Sequence, residues 1–177
     1  MELNDKNDRQ HNDTQFSLNH VQQAGLVILR VFIGWHFLYE GMIKWTDPEW
    51  SASVFLKSST WILSGFFIWL TENDTLLAGV DFVNQAGLVI IGIALIAGFM
   101  TRTAAVTGIV LLGLYYLAFP PLFDGGVSAP GGDQYLLIDK NLIEMAGLYL
   151  LFAFRAGNVI GIDALIKIKK VSQKYEQ

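Results

Sequence analysis

Several stretches of about 20 residues in this chain carry almost no charge, and such stretches are typical of helices that cross a membrane. The clearest ones are 82–101 and 103–123, which hold no charged residue and are separated by Arg102 alone. Two spans this close in sequence predict a helical hairpin with a very tight turn. A Pro pair, Pro120 and Pro121, and then Asp124 end the second of these spans.

Two further apolar stretches contain ionisable residues. The stretch 24–45 is long enough for a first span and carries Arg30, His36 and Glu40. The stretch 136–154 has Asp139, Lys140 and Glu144 in its first half and ends at Arg155. The sequence therefore predicts an all-α integral membrane protein built as a four-transmembrane-helix bundle.

The composition agrees with a membrane protein and excludes several kinds of chemistry. Only 16% of residues are charged against 53% hydrophobic, and mean hydropathy is +0.41, whereas soluble domains run near about 25% charged. The chain has no Cys, which excludes disulfides, iron–sulfur clusters, thiolate zinc sites and covalently attached c-type haem. A net charge of −4 without a basic motif argues against nucleic-acid binding. Because the chain has no Cys, a redox role would use a bound organic cofactor or a partner.

The remaining segments suggest three domains. Residues 1–23 are polar and predict a disordered tail, and 24–155 are expected to form the four-helix domain. Residues 156–177 predict an amphipathic C-terminal helix rich in Lys, which either lies on an anionic membrane surface or is simply solvated. The uncharged run 58–71 is short for a crossing, and its Trp61 and Trp69 suit the headgroup region, so we expect an interfacial or re-entrant helix there. Residues 124–133 predict an irregular loop.

The distribution of Lys and Arg predicts the orientation. With four spans, eight basic residues share the side of the two termini and the turn at Arg102, and three lie on the opposite side. The positive-inside rule then places both termini in the cytoplasm of a multi-pass protein of the cell (inner) membrane, in contact with membrane lipid. The same topology predicts that the segment 58–71 lies on the side of the membrane opposite to the cytoplasm, the outer side.

Ionisable residues inside membrane spans are costly, and they define the candidate site. On the first helix Arg30 and Lys44 share one face, with Glu40 at its edge in the favourable i,i+4 orientation to Lys44. On the fourth helix Asn141 and Glu144 are i,i+3 neighbours toward the same outer side. We expect the outer ends of these two helices to meet and to close a polar pocket.

Structural explanations compete with this interpretation. Arg30 lies near the cytoplasmic start of its helix and could extend to lipid phosphate, and Glu40 with Lys44 could be an ordinary interfacial pair. Glu144 precedes ten uncharged residues, which favours a functional or bundle-locking role. His36 points away from the Arg30 face, and no cluster has the spacing of a metal or haem site. Ser and Thr show no nucleophilic arrangement.

The order of several short motifs resembles the DoxX/DoxD family of membrane proteins. The first span contains R-x3-G-x2-F-x3-G-x2-K, and later matches are G-x2-T-R at the tight turn, the Pro pair and D-K-N-L-I-E opening the fourth span. The residues of the first motif are Arg30, Gly34, Phe37, Gly41 and Lys44. The resemblance covers roughly residues 24–166.

This resemblance implies a small four-helix protein linked to membrane oxidoreductase complexes. DoxD-type members are the small subunit of a thiosulfate:quinone oxidoreductase, in which a separate large subunit is expected, and the long outer segment 50–69 looks more like the DoxD side of the family. No residue here supplies a thiosulfate site.

The leading hypothesis is a redox-complex subunit with a quinone-accessible pocket near the outer leaflet. Glu144 and Glu40 would exchange the protons of quinone reduction, and Lys44, Arg30 and Asn141 would bind the cofactor. Electrons would come from a second subunit or a soluble redox partner. The alternative is a non-catalytic membrane anchor or assembly partner, with homo-oligomers also open. A small-solute carrier has less support, because no discontinuous pair of spans occurs in matching halves.

Overall fold

The computed structural model describes residues 18–119 and 138–175, and within those residues the regular structure is helical, without a strand. The α-helices are α1 His20–Thr46, α2 Ser53–Lys57, α3 Ser64–Leu70, α4 Asp74–Ala97, α5 Thr101–Ala118, α6 Lys140–Ala153 and α7 Ile162–Tyr175. A short 3-10 helix, Ala156–Asn158, joins α6 to α7. The all-helical prediction is confirmed for this part of the chain.

Three of the helices are long and apolar enough to cross a membrane, namely α1, α4 and α5. The helix of the predicted fourth span, α6, has 14 residues. At about 1.5 Å per residue its length is about 21 Å, which is less than a hydrocarbon core of about 30 Å. Three spans are thus supported by length and composition, and the fourth stays a prediction. The predicted loop 124–133 and residues 1–17 of the predicted tail lie outside the described residues.

Helix capping moves two predicted boundaries toward the N-terminus. Asn19 and Gln22 form a reciprocal capping box, so α1 begins at His20, four residues before the predicted start at 24. Asn73 accepts from the amides of Thr75 and Leu76, so α4 begins at Asp74 instead of residue 82. Each helix therefore begins where a side chain accepts hydrogen bonds from the free amides of the first turn, and not where the apolar run begins.

Glycines set the close approach of α1 and α4, which pack together more extensively than any other helix pair. A Cβ on Gly92 would lie 2.5 Å from the backbone nitrogen of Leu38, and one on Gly34 would lie 3.0 Å from the Gly92 carbonyl oxygen. The two backbones therefore touch, as small residues allow between membrane helices. The core around this contact contains Ile33, Phe37, Leu88, Ile91, Leu95, Ala104, Ala105, Leu112, Leu148, Leu151 and Ala156.

The segment between α1 and α4 folds against one end of the bundle, termed here the Lys44 end. It contains two short helices: α3 lies within the run 58–71 for which a helix is predicted, and α2 precedes that run. The segment forms a small apolar cluster with the end of α5, made of Ala52, Leu56, Phe67 and Ala118. Asp81 of α4 accepts a hydrogen bond from the Ala52 amide at 2.8 Å, and the Ser59 hydroxyl donates to the Ala118 carbonyl at 2.8 Å. These two bonds fasten the segment to the bundle.

The opposite end of the bundle, termed the Arg102 end, holds the tight turn between α4 and α5. Gly98 adopts φ 65° and Met100 φ 46° in this turn, conformations that Gly adopts without the steric cost that a side chain adds. The carboxylate of Asp163 caps the start of α5 by accepting from the amides of Met100 at 2.8 Å and Thr101 at 3.0 Å. The C-terminal helix is therefore attached to the turn at its first residues.

Candidate functional site

Three ionisable side chains follow one another at every fourth position of α1, toward the Lys44 end. The Lys44 ammonium lies 3.3 Å from Oε2 of Glu40, and Nε2 of His36 lies 3.8 Å from Oε1 of the same carboxylate. Residues four apart lie nearly above one another on a helix, so Glu40 is flanked by both basic groups. The predicted Glu40 and Lys44 pair is present, and His36 extends it.

Glu144 of α6 contacts the first of these three side chains, His36. Its Oε1 lies 2.8 Å from Nδ1 of His36, a bond between residues separated by 108 positions. The Glu144 side chain is only 9% exposed, whereas that of His36 is 41% exposed. Glu144, His36, Glu40 and Lys44 thus form one contiguous set of titratable groups, termed here the polar row.

The Glu144 bond fixes how the His36 ring can act. A carboxylate accepts hydrogen bonds, so the ring donates through Nδ1, and in the neutral imidazole Nε2 then carries the free lone pair. At 3.8 Å from Glu40, Nε2 is beyond hydrogen-bond distance. The polar row therefore presents one imidazole nitrogen that can take up or release a proton at the surface of the bundle.

Two aromatic rings lie beside the Lys44 ammonium group of the polar row. The Lys44 ammonium lies 5.6 Å from the centre of the Trp50 ring and 5.7 Å from that of Tyr115, within the range of cation–π attraction. Phe55 of α2 packs its ring edge-on to Tyr115, with 5.9 Å between centroids. Trp50, from the segment that covers the Lys44 end, and Tyr115 of α5 therefore shield the ammonium group on two sides.

Tyr115 is held in place by Asn84 of α4. The Asn84 amide nitrogen donates to the Tyr115 hydroxyl at 2.6 Å, and Asn84 is 8% exposed. The amide oxygen of Asn84 is buried and has no hydrogen-bond partner in the described structure. Helices α4 and α5 therefore support the ring beside Lys44 through a buried polar contact.

The structure gives Asn141 a local role. Its side-chain nitrogen donates to Oδ2 of Asp139 at 2.8 Å, while Oδ1 of Asp139 accepts from the Leu142 amide at 2.9 Å. Asn141 thus stabilises the cap of α6, one turn before Glu144. Of the predicted site residues, Glu40, Lys44 and Glu144 come together through His36, with Asn141 beside them.

Arg30 does not join the polar row. It lies fourteen positions before Lys44 on α1, or about 21 Å away at about 1.5 Å per residue. Its side chain is 3% exposed, and Nη1 donates to the Ala156 carbonyl at 3.3 Å. The guanidinium is also enclosed by Gly98 and Gly161, at each of which a Cβ would meet it. Arg30 is therefore buried at the Arg102 end and does not extend to lipid.

Sequence reasoning missed His36, Tyr115 and Asn84. The sequence analysis uses the face of Arg30 to define the site, and His36 lies off that face. Because Arg30 lies at the opposite end of the bundle from the polar row, its face does not identify the residues of the site. The signal that could have found His36 is its spacing of four from Glu40, which in turn is four from Lys44. Tyr115 and Asn84 carried no such signal, because their bond depends on how α4 and α5 pack.

Within residues 18–119 and 138–175, no group of three or more His, Asp or Glu side chains is arranged to hold a metal ion. Comparisons of the chain with models of protein families, with curated proteins and with solved structures gave no match.

Proposed function

We propose that this protein is a DoxX-like membrane subunit of an oxidoreductase complex, in which a quinone binds beside the polar row. The observation that carries the proposal is the 2.8 Å bond between His36 and Glu144, which connects an almost buried carboxylate to a half-exposed imidazole on a membrane-length helix. Titratable groups within a membrane span are costly, and proton relays are among the functions they serve.

The chemistry of a quinone matches the groups of the polar row. Conversion of a quinone to a quinol consumes two electrons and two protons. His36 Nε2 and Glu40, both half-exposed, are the groups that meet a quinone oxygen and pass protons to it, while buried Glu144 orients the imidazole. The Lys44 ammonium polarises a quinone oxygen. Arg30, at the opposite end of α1, has no part in this step.

The electrons come from a partner. The chain has no Cys and therefore no thiol couple, so a reduced donor held by a second subunit or a soluble protein supplies the electron pair. Thiosulfate is the donor that the family resemblance implies. In the proposed topology the protein crosses the inner membrane four times with both termini in the cytoplasm, which puts the polar row near the outer leaflet.

Purification in mild detergent tests the proposal. The extracted quinone per protein is measured by mass spectrometry for the wild type, for Glu144→Gln and for Glu72→Gln, a control at an exposed carboxylate outside the polar row. Quinone in the wild type and in Glu72→Gln, with loss in Glu144→Gln of both bound quinone and donor-dependent quinone reduction in membranes, supports the proposal. Quinone-free wild type together with unchanged reduction in Glu144→Gln refutes it.

A second candidate function is a non-catalytic anchor or assembly partner. The buried Arg30, bonded to the Ala156 carbonyl, and Asp163, bonded to the turn amides, favour it, because these bonds hold the elements at the Arg102 end together. In that case Glu144→Gln lowers the recovery of a partner protein or of a second copy, while turnover per assembled complex is unchanged.

A further inference from the structure

The C-terminal helix α7 exposes large apolar side chains. Leu165 is 66% and Ile168 67% exposed, and Ile162 and Ile166 are each more than 40% exposed. Taking 100° per residue, Leu165 and Ile168 lie about 60° apart on the helix, on the side opposite to Asp163. Asp163 faces the turn of the bundle, so the bundle does not cover this apolar sector.

The position of α7 is set by its first turn. The Asp163 carboxylate binds the amides of Met100 and Thr101, and the Asp163 amide donates to the Gly98 carbonyl at 2.9 Å. Gly98 ends α4 and Thr101 begins α5, both of which have the length and composition of membrane spans. In a membrane that α4 and α5 cross, the start of α7 would lie where these two spans leave the hydrocarbon layer, at the level of the lipid headgroups.

Basic side chains flank the apolar sector. On the helix Lys167 lies about 100° from Ile168 on one side, and Lys169 lies about 40° from Leu165 on the other. Both lysines are exposed, as are Arg102 in the turn and Arg155 after α6. The sequence adds Lys170 and Lys174 to the same helix. An apolar strip with lysines on both flanks complements a surface that is apolar below and anionic above.

We propose that α7 lies on the anionic lipid surface of the same membrane that the apolar helices cross. Leu165 and Ile168 insert at the boundary between headgroups and acyl chains, and Lys167 and Lys169 bind lipid phosphates. Helices of this kind bind through apolar burial together with electrostatic attraction.

The absence of Cys from the chain makes spin labelling a direct test. Leu165→Cys, Ile168→Cys and, as a control outside the sector, Gln173→Cys are labelled in the full-length protein. The protein is placed in nanodiscs of phosphatidylcholine alone or mixed with phosphatidylglycerol. The accessibility of each label to oxygen, which partitions into lipid, is compared with its accessibility to a water-soluble nickel chelate.

In phosphatidylglycerol we expect the labels at 165 and 168 to favour oxygen over nickel and the label at 173 to favour nickel. In the 165 and 168 labelled proteins, Lys167→Gln with Lys169→Gln removes the oxygen preference. Equal access of nickel to the labels at all three positions overturns the proposal. Shielding of the labels at 165 and 168 from both oxygen and nickel also overturns it, because such shielding indicates that a protein partner or a second copy covers the helix. An oxygen preference that the lysine variants leave intact overturns the role of the phosphates.

Discussion

The imidazole Nδ1 of His36 lies 2.8 Å from Oε1 of Glu144 and thereby joins α1 to α6. The carboxylate is almost buried while the ring is half-exposed. The buried partner therefore sets the orientation of a group that the surroundings can reach. This bond stabilises the helix pair, and in the proposed function it also orients the ring for proton exchange. The two roles can be separated by substitution.

Glu144→Ala removes the acceptor of the His36 ring and leaves a partly buried donor without a partner. We expect a loss of about 1–3 kcal/mol in the free energy of unfolding. Glu144→Gln keeps an amide oxygen as acceptor and should lose less. Thermal unfolding in detergent measures both against Glu72→Gln. A Glu144→Ala protein as stable as the wild type would show that the bond does not hold α1 to α6.

Gly92→Ala places a methyl group against the backbone of Leu38, so α1 and α4 must separate. Overpacking of this kind costs about 1–3 kcal/mol. Gly87→Ala on the same helix is the matched control, because a Cβ there has nothing within 4 Å, and it should be neutral or stabilising by up to about 1 kcal/mol. Equal unfolding temperatures for the two variants would contradict the close contact of these helices.

Tyr115→Phe leaves the buried nitrogen of Asn84 without its acceptor. The expected loss of stability is about 1–3 kcal/mol. Tyr39→Phe, at an exposed position of α1, should change stability by less than about 0.5 kcal/mol. The thermal unfolding curves of the two variants are compared in the same detergent. An equal loss of stability in both variants would show that the hydrogen bond from Asn84 to Tyr115 does not stabilise the fold.

Asp163→Asn weakens the attachment of α7 to the turn between α4 and α5, because an amide has one acceptor oxygen for the two backbone donors. We expect faster hydrogen exchange at the amides of Met100 and Thr101 and faster tryptic cleavage after Lys167. Glu49→Gln, at an exposed carboxylate, is the control. Unchanged exchange and cleavage in Asp163→Asn would show that α7 is held by other contacts.

Much of the fold follows from local sequence, whereas the site follows only in part. Apolar runs predict α1, α4 and α5 because lipid requires each span to be long and predominantly apolar. The early starts of α1 and α4 depend on caps by Asn19 and Asn73, which lie outside those runs. Asp81 and Ser59 fasten the segment between α1 and α4 to the bundle at separate points, and these contacts depend on how the segment packs.

Pairs within one helix were predictable, and pairs between helices were not. The spacing of Glu40 and Lys44 gives their ion pair directly. The bond from His36 to Glu144 depends on the rotation of α6 against α1, and the burial of Arg30 depends on the chain returning at Ala156. Neither is encoded in the spacing of the residues along one helix.

Photolabelling with an azidoquinone tests the proposed quinone site most directly, because it requires neither the electron donor nor a partner. Membranes containing the full-length protein are irradiated with and without excess unmodified quinone, and labelled peptides are identified by mass spectrometry. We predict labelling within residues 36–44 or at 144, abolished by competing quinone and lost in Lys44→Gln but retained in Lys57→Gln. Labelling that competing quinone leaves unchanged, or that occurs only outside the polar row, would contradict the account.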